Sequence, residues 1–168
     1  TGYEFKGGDA IYEDVNHDGN INQLDIVYLG NSLPKLTGGF GFKFNYGDWA
    51  LNAQFNYRYG NKIANVARMM AENMHGADNQ STAVNYRWRK EGDGANGGHV
   101  LPRALYGQGY NWMGSDRFVE DGSFLRLNYL QLSYGFDSKL VKRIGLSRLN
   151  LYVSGENLFC LTKYSGVD

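Results

Sequence analysis

The sequence predicts an all-β fold: an antiparallel transmembrane β-barrel fragment of about four strands, with long extracellular loops and a short helix in one of them. Three observations carry this. Side chains over residues 40–59 alternate with a period of two. Alternating segments recur at 123–136 and 149–158. The connections run long, short, long, short, long. Successive side chains of a strand point to opposite faces, so each alternating run marks a sheet with two different surfaces.

The first hairpin occupies 36–59, with a break at Gly47-Asp48. Phe40, Phe42, Phe44 and Tyr46 share a face, and Trp49, Leu51, Ala53, Phe55, Tyr57 and Tyr59 continue it on the second strand. Gly39, Gly41, Lys43 and Asn45 lie opposite, as do Asn52, Gln54, Asn56 and Arg58, with Ala50 out of character. A face of rings backed by a face of amides and glycines fits lipid outside and a watery lumen inside. Each strand is near the ~9–11 residues that a tilted strand needs to cross a bilayer.

Residues 60–122 show no strand periodicity over most of their length and read as one long loop. Within it Ile63, Val66, Ala67, Met70 and Met74 recur at helical spacing, so a short helix is expected over 61–74. A connection of this length is uncommon unless it is functional. Strand character returns at 123–136, where Leu125, Leu127 and Tyr129 share one phase and Leu130, Leu132, Tyr134 and Phe136 another. That slip of one residue predicts a bulge or a change of environment. A short basic turn over 138–148 carries Lys139, Lys142, Arg143 and Arg148. The fourth strand is expected over 149–158, with Leu149, Leu151 and Val153 opposite Asn150, Ser154 and Glu156 and with Tyr152 breaking the contrast. The division is therefore 1–35 loop, 36–59 hairpin, 60–122 loop, 123–158 hairpin and 159–168 the start of another loop. Barrels of the outer membrane have short periplasmic turns and long extracellular loops, which puts the three long segments outside the cell.

Composition narrows the function. The 168 residues carry 17 Lys+Arg against 17 Asp+Glu, so no basic face recommends a nucleic-acid partner. Mean hydropathy is −0.49 and no apolar run of 18 residues exists, which excludes a transmembrane helix but not a barrel. Tyr 13, Phe 9 and Trp 3, with 23 glycines and two prolines, suit strands, turns and interfacial rings. Cys160 stands alone, so no disulfide forms within the chain. No leader peptide opens the chain, and both ends read as the interior of something longer.

Residues 14–25 match a calcium loop at nearly every diagnostic place. Asp14, Asn16, Asp18, the Asn20 carbonyl and Asp25 would supply oxygens, Gly19 the sharp turn and Ile21 an apolar anchor. Asp25 stands where a bidentate glutamate is usual. The alternative is a loop of Asx turns whose side chains satisfy local backbone without Ca2+.

Several segments, taken in order, resemble the late barrel region of SusC/RagA-type TonB-dependent transporters. They are Gly8-Asp9-Ala10-Ile11-Tyr12-Glu13-Asp14, Leu29-Gly30-Asn31-Ser32-Leu33-Pro34-Lys35, Gly38-Gly39-Phe40, Asp121-Gly122-Ser123-Phe124-Leu125-Arg126-Leu127, and Val153-Ser154-Gly155-Glu156-Asn157-Leu158-Phe159 followed by Leu161-Thr162-Lys163-Tyr164. Residues 76–115 are the least family-like. The resemblance implies a non-enzymatic outer-membrane importer of glycans or peptides, with a 22-stranded barrel and a plug. A SusD-like substrate-binding lipoprotein would serve as lid, and TonB-ExbB-ExbD would supply energy through an N-terminal plug region absent here. It implies lipid as the partner of the aromatic face, and partner strands for a four-stranded piece that cannot close by itself.

Arg58 on the polar face, and Trp88, Tyr106, Tyr110 and Trp112 in the long loop, are the candidate contacts for substrate or partner. Loop aromatics equally form small cores of their own. His17, His75 and His99 are scattered and carry no catalytic constellation, and Asp116, Glu120 and Asp121 read as solvated carboxylates rather than a glycosidase pair. Two competitors remain. A dockerin-like calcium-dependent binding module predicts a second loop copy and a continuing helix, which Gly30 and Pro34 cut short. A soluble carbohydrate-binding β-sandwich predicts that the aromatic rows pack against a second sheet.

Overall fold

The structure, a computed structural model, describes residues 3–94 and 101–166. Its strands are β1 (Leu36–Tyr46), β2 (Trp49–Tyr59), β3 (Lys62–Ala64), β4 (Val119–Asp121), β5 (Phe124–Gly135) and β6 (Asn150–Thr162). Two short helices, α1 (Val66–Ala71) and α2 (Ser138–Lys142), and three 3-10 turns complete the regular structure. The chain divides into two compact units, one built on residues up to Leu29 with Ala64–Glu120, the other on Gly30–Ile63 with Asp121–Ser165.

The second unit is a four-stranded antiparallel sheet in the order β1-β2-β5-β6. Both predicted hairpins are present, and β1 and β2 end where alternation places them. Gly47 takes φ +57 at the first central position of the two-residue turn, as a type II′ hairpin turn requires. The register lines like with like. Phe44, Leu51, Leu132 and Val153 form one row across the sheet, and Tyr46, Trp49, Tyr134 and Leu151 the next. On the other face Lys43, Asn52, Gln131 and Ser154 are in line.

The phase slip in the third long strand is a bulge. Leu127 pairs with Phe55 and Tyr129 with Gln54, which leaves Asn128 as the extra residue. The same place in β6 absorbs one residue more, since Leu127 pairs with Phe159 and Tyr129 with Glu156. Asn157 meets this demand with φ +51, a conformation asparagine tolerates better than most residues. The sequence places the slip between Tyr129 and Leu130; the ladder centres it on Asn128.

No second sheet covers the rings among the described residues. Phe40, Phe42, Phe44 and Tyr46 are 53, 50, 61 and 75% exposed, and every residue of β1 is exposed. The sandwich alternative therefore fails. The dockerin-like alternative fails too, because the 14–25 loop ends in the three-residue turn Gln23–Asp25 and no helix follows it before β1.

Four expectations change. The helix expected over 61–74 is confined to Val66–Ala71, because Asn65 caps it by accepting from Arg68 N (2.9 Å) while Lys62–Ala64 is extended. The long loop contains two short strands, β3 and β4, which pair. The fourth strand reaches Thr162 rather than Leu158, so residues 159–162 are strand and not loop. The basic turn contains α2, capped by Asp137, whose side chain accepts from Lys139 N (2.8 Å).

Candidate functional site

The amide-bearing face of the sheet presents charges along its length. Tyr129 donates to Gln131 Oε1 (2.6 Å), and Glu156 stands across the ladder from Tyr129. At the end near Arg58, the guanidinium carbon of Arg58 lies 5.6 Å from the Phe124 ring centre and that of Arg126 lies 5.5 Å from it. Cation–π contacts hold both cations against one ring on the face predicted to be wet. Asn52, Gln54 and Arg58 share this face, as the alternation requires.

The ring-bearing face has a different chemistry. Phe40 stacks on Phe55 at 5.0 Å, and Phe42 approaches the same ring at 6.2 Å. At the hairpin-turn end Trp49 meets Tyr134 at 4.8 Å and Tyr134 meets Phe136 edge-on at 4.9 Å. Phenyl and aliphatic groups in the middle with Tyr and Trp at the end form the gradient expected of an apolar band bounded by an interfacial girdle. Ten ~3.4 Å steps tilted by ~40° rise about 26 Å, which matches the ~25 Å height of such a band.

The loop unit is organised by buried polar pairs that sequence reading missed. Arg103 Nε donates to Asp9 Oδ1 (2.6 Å) and its terminal nitrogen to Asp9 Oδ2 (3.1 Å), with the Asp9 side chain 2% exposed. Tyr3 Oη, the Lys6 amide and Asn111 Nδ2 also donate to Asp9, at 2.8, 2.9 and 3.1 Å. Burial pushes the Asp9 carboxyl up, but the Arg103 guanidinium and these donors outweigh it and hold it well below the usual carboxylate range. The same pairing raises Arg103. A second cluster joins Arg68 to Glu72 (2.7 Å) and Glu120 (3.1 Å). Hydrogen bonding to Glu72 is the main cause that raises Arg68, whereas burial lowers Arg117. Asp9 and Arg103 are 94 residues apart and Arg68 and Glu120 are 52, so no local pattern announces either pair.

The loop aromatics divide. Trp88 is half-buried, and its ring fills the space that a Cβ on Gly8 (φ +86) would need. Tyr110 contacts Tyr3 (5.7 Å) and Phe5 (5.9 Å), and its carbonyl accepts from Tyr12 Oη (2.8 Å). Trp112 meets His75 at 5.3 Å and donates to the Gly109 carbonyl (3.0 Å). Tyr106 is 75% exposed and has the freest ring of the four. A cleft of about 330 Å³ runs along Phe5–Tyr12 and Ile21, beside the Asp9 pair. His99 lies outside the described residues.

In the Asp/Asn loop the side chains serve one another. Asp14 accepts from the amides of Asp18 (3.2 Å) and Gly19 (2.8 Å), and Asn16 Oδ1 accepts from Asp18 N (3.1 Å). Asp18 accepts from Asn20 N (2.8 Å), the Asn20 carbonyl accepts from Asn22 Nδ2 (3.2 Å), and Asp25 takes the amides of Val15 (3.0 Å) and Asn22 (2.7 Å). The Asn16 amide beside Asp18 holds that carboxyl below its ordinary value. Among the described residues no three His, Cys, Asp or Glu side chains are grouped to hold a metal ion. Glu120 and Asp121 are likewise engaged, Glu120 by Arg68 and Asp121 by the Ser123 hydroxyl (2.6 Å).

A sheet with a ring-bearing exposed face, an amide-bearing opposite face and two outer strands that are unpaired among the described residues is a segment of β-barrel wall. Comparison with known proteins gives the class its kind. The chain is 32% identical over 97% of its length to TonB-dependent receptor P39 of Formosa agariphila, and 29% identical over 96% to TonB-dependent receptor P3 of the same organism. It spans 16% and 15% of those relatives. The RagAB peptide transporter superposes on 82% of the chain with a TM-score of 0.66 at 27% identity, and the RagAB peptide importer in its closed-closed state on 83% with 0.66 at 26%. They cover 14% and 15% of those transporter chains. No family model matches the chain. Over nearly its whole length the chain is SusC/RagA-like, similar to one segment of TonB-dependent receptors and of the RagAB transporter.

Proposed function

We propose that the chain forms part of the wall and external loops of an outer-membrane importer, non-enzymatic, with its long segments outside the cell and the turns at 47–48 and 137–148 in the periplasm. The single observation that carries the reading is the division of the sheet into an exposed face of rings and an opposite face of amides and guanidinium groups. In hydrocarbon every backbone polar group needs a partner, so the free edges of β1 and β6 call for neighbouring strands of the same barrel.

The likeness to RagAB, which is named a peptide transporter, supports a peptide as the imported substrate; glycan is the alternative within the same architecture. A SusD-like lipoprotein as lid and TonB-ExbB-ExbD as the energy source follow from the same kinship. Arg58, Trp88, Tyr106, Tyr110 and Trp112 are the proposed contacts for substrate or lid, with Tyr106 the most exposed of the four loop rings. Calcium bracing of the 14–25 loop is a second, separate proposal, supported by its spacing.

Site-directed thiol labelling tests the wall. In a receptor carrying this segment with Cys160 replaced by Ser, a membrane-impermeant maleimide is expected to modify Asn52→Cys and to leave Leu51→Cys unmodified in the bilayer. Equal labelling of the two neighbours would overturn the assignment of faces. Loss of peptide uptake with retained oligosaccharide uptake after deleting the receptor would fix the substrate class; the reverse result would fix the alternative.

A further inference from the structure

Among the aromatic contacts of the loop unit lies a small space that the polar atoms around it do not satisfy for one another. It measures about 10 Å³, and its lining includes Glu72, His75, Arg103, Asn111, Trp112 and Arg117. Three buried atoms of this lining find no hydrogen-bond partner among the described residues: Glu72 Oε2, His75 Nδ1 and Arg117 Nε. Buried polar atoms are almost always partnered, so three orphans around one space need an explanation.

The groups cannot simply close on each other. Glu72 is 6% exposed, and its other oxygen already accepts from Arg68 Nε at 2.7 Å. A terminal nitrogen of Arg117 stands 3.7 Å from Oε2, beyond hydrogen-bonding length. The Arg117 guanidinium lies over Phe118 at 4.4 Å, and the His75 ring is set against Trp112 at 5.3 Å. Each group is anchored on one side and belongs to a residue that lines the same small space.

We infer that one structural water molecule occupies this space, accepting from Arg117 Nε–H, donating to Glu72 Oε2 and hydrogen-bonding to His75 Nδ1. The volume is about that of one water probe, and three partners is the usual number for a buried water. An ion has no electrostatic reason to enter. Arg68, Arg103 and Arg117 are balanced by Asp9, Glu72 and Glu120 in the pairs around it. The water ties the C-terminal cap of α1, at Glu72, to the turn Asp116–Phe118, which nothing in the sequence connects.

The test is a density map of a receptor carrying this segment, at a resolution of ~2 Å or better where ordered water is visible. The expected result is a single peak ~2.7–3.2 Å from all three atoms. Direct pairing of Arg117 Nε or His75 Nδ1 with Glu72 Oε2, or the three atoms as anchored here with no peak between them, would overturn the inference. So would a peak with oxygen contacts at ~2.3–2.6 Å, which marks a calcium-like cation.

Discussion

The sheet and the loop unit are held together by different physics. The sheet has ladders but hardly any core: Ala53 and Leu127 are its buried hydrophobic strand residues, and the aromatic row of β1 is open. The loop unit has little regular structure, yet it encloses Asp9, Glu72, Asn65, Leu105 and Phe118 within ion pairs and ring contacts. A barrel wall draws its burial from lipid and from strands on either side, whereas a long loop must bring its own interior. Side-chain substitutions in the two regions should therefore respond to different variables: depth in the bilayer for the sheet, and charge pairing and pH for the loops.

The largest expected effect breaks the sheet's asymmetry directly. Phe55 stacks on Phe40 near the middle of β2, while its neighbour Gln54 points to the amide-bearing face. Phe55→Arg is expected to destabilise the assembled receptor by up to about 4 kcal/mol, the cost of an arginine facing lipid at mid-depth. Gln54→Arg, one residue away, should change stability by less than about 1 kcal/mol, because the lumen side tolerates charge. Urea unfolding in liposomes measures both, and equal losses would erase the distinction between the faces.

In the loop unit, Arg103→Ala leaves the Asp9 carboxylate buried with only neutral donors. A loss on the order of 3 kcal/mol in local stability is expected, read as faster proteolysis between residues 76 and 115 with the sheet unaffected. The same pair sets a pH dependence. Asp9 is held below its ordinary value when folded, so the unfolded loop binds more protons and stability rises with pH. Its contribution is complete above the unfolded carboxylate value of ~3.9 and is lost as pH falls through the lower folded value. Loop protection should therefore be flat from pH 7 to about 4 and fall only below that. Arg103→Ala, in which the Asp9 carboxyl is no longer held down by the guanidinium, should start from lower protection and show a smaller further loss below pH 4 than the parent.

What was legible in the sequence follows the same division. Residues 36–59 could be assigned to the residue because period-two alternation is local and one face of the hairpin is apolar throughout. The bulge at Asn128 was visible as a break in phase, though its centre was displaced by a residue or two because Tyr129 suits either face. The extension of β6 to Thr162 was hidden by the extra residue accommodated at Asn157, which interrupts alternation just before Phe159 and Leu161. The helical spacing over 61–74 overstated the helix because Asn65 acts as a cap, a role that spacing does not encode. The pairs Asp9–Arg103 and Arg68–Glu120 lie beyond any local signal, because 94 and 52 residues separate their members.

The smallest expected effect concerns residues 14–25, which have the most specific local pattern and the least tertiary support. Every acidic side chain there already accepts a backbone amide within the turn, so a cation adds to an arrangement that is stable by itself. The loop is exposed, and the twelfth position is Asp25 rather than the longer glutamate, which limits the number of protein oxygens that reach one ion. Binding in the weak range of extracellular modules, ~10⁻⁴–10⁻³ M, is the expected strength. At ten times that dissociation constant, calcium stabilises the bound state by about 1.4 kcal/mol, enough to slow proteolysis at the loop roughly tenfold. Isothermal titration and protease protection should both register calcium in the parent and fail to do so in an Asp14→Ala, Asp18→Ala double variant. A parent that ignores calcium would leave the turn as a network of Asx hydrogen bonds, and the comparison would then narrow to lipid for the sheet and buried ion pairs for the loops.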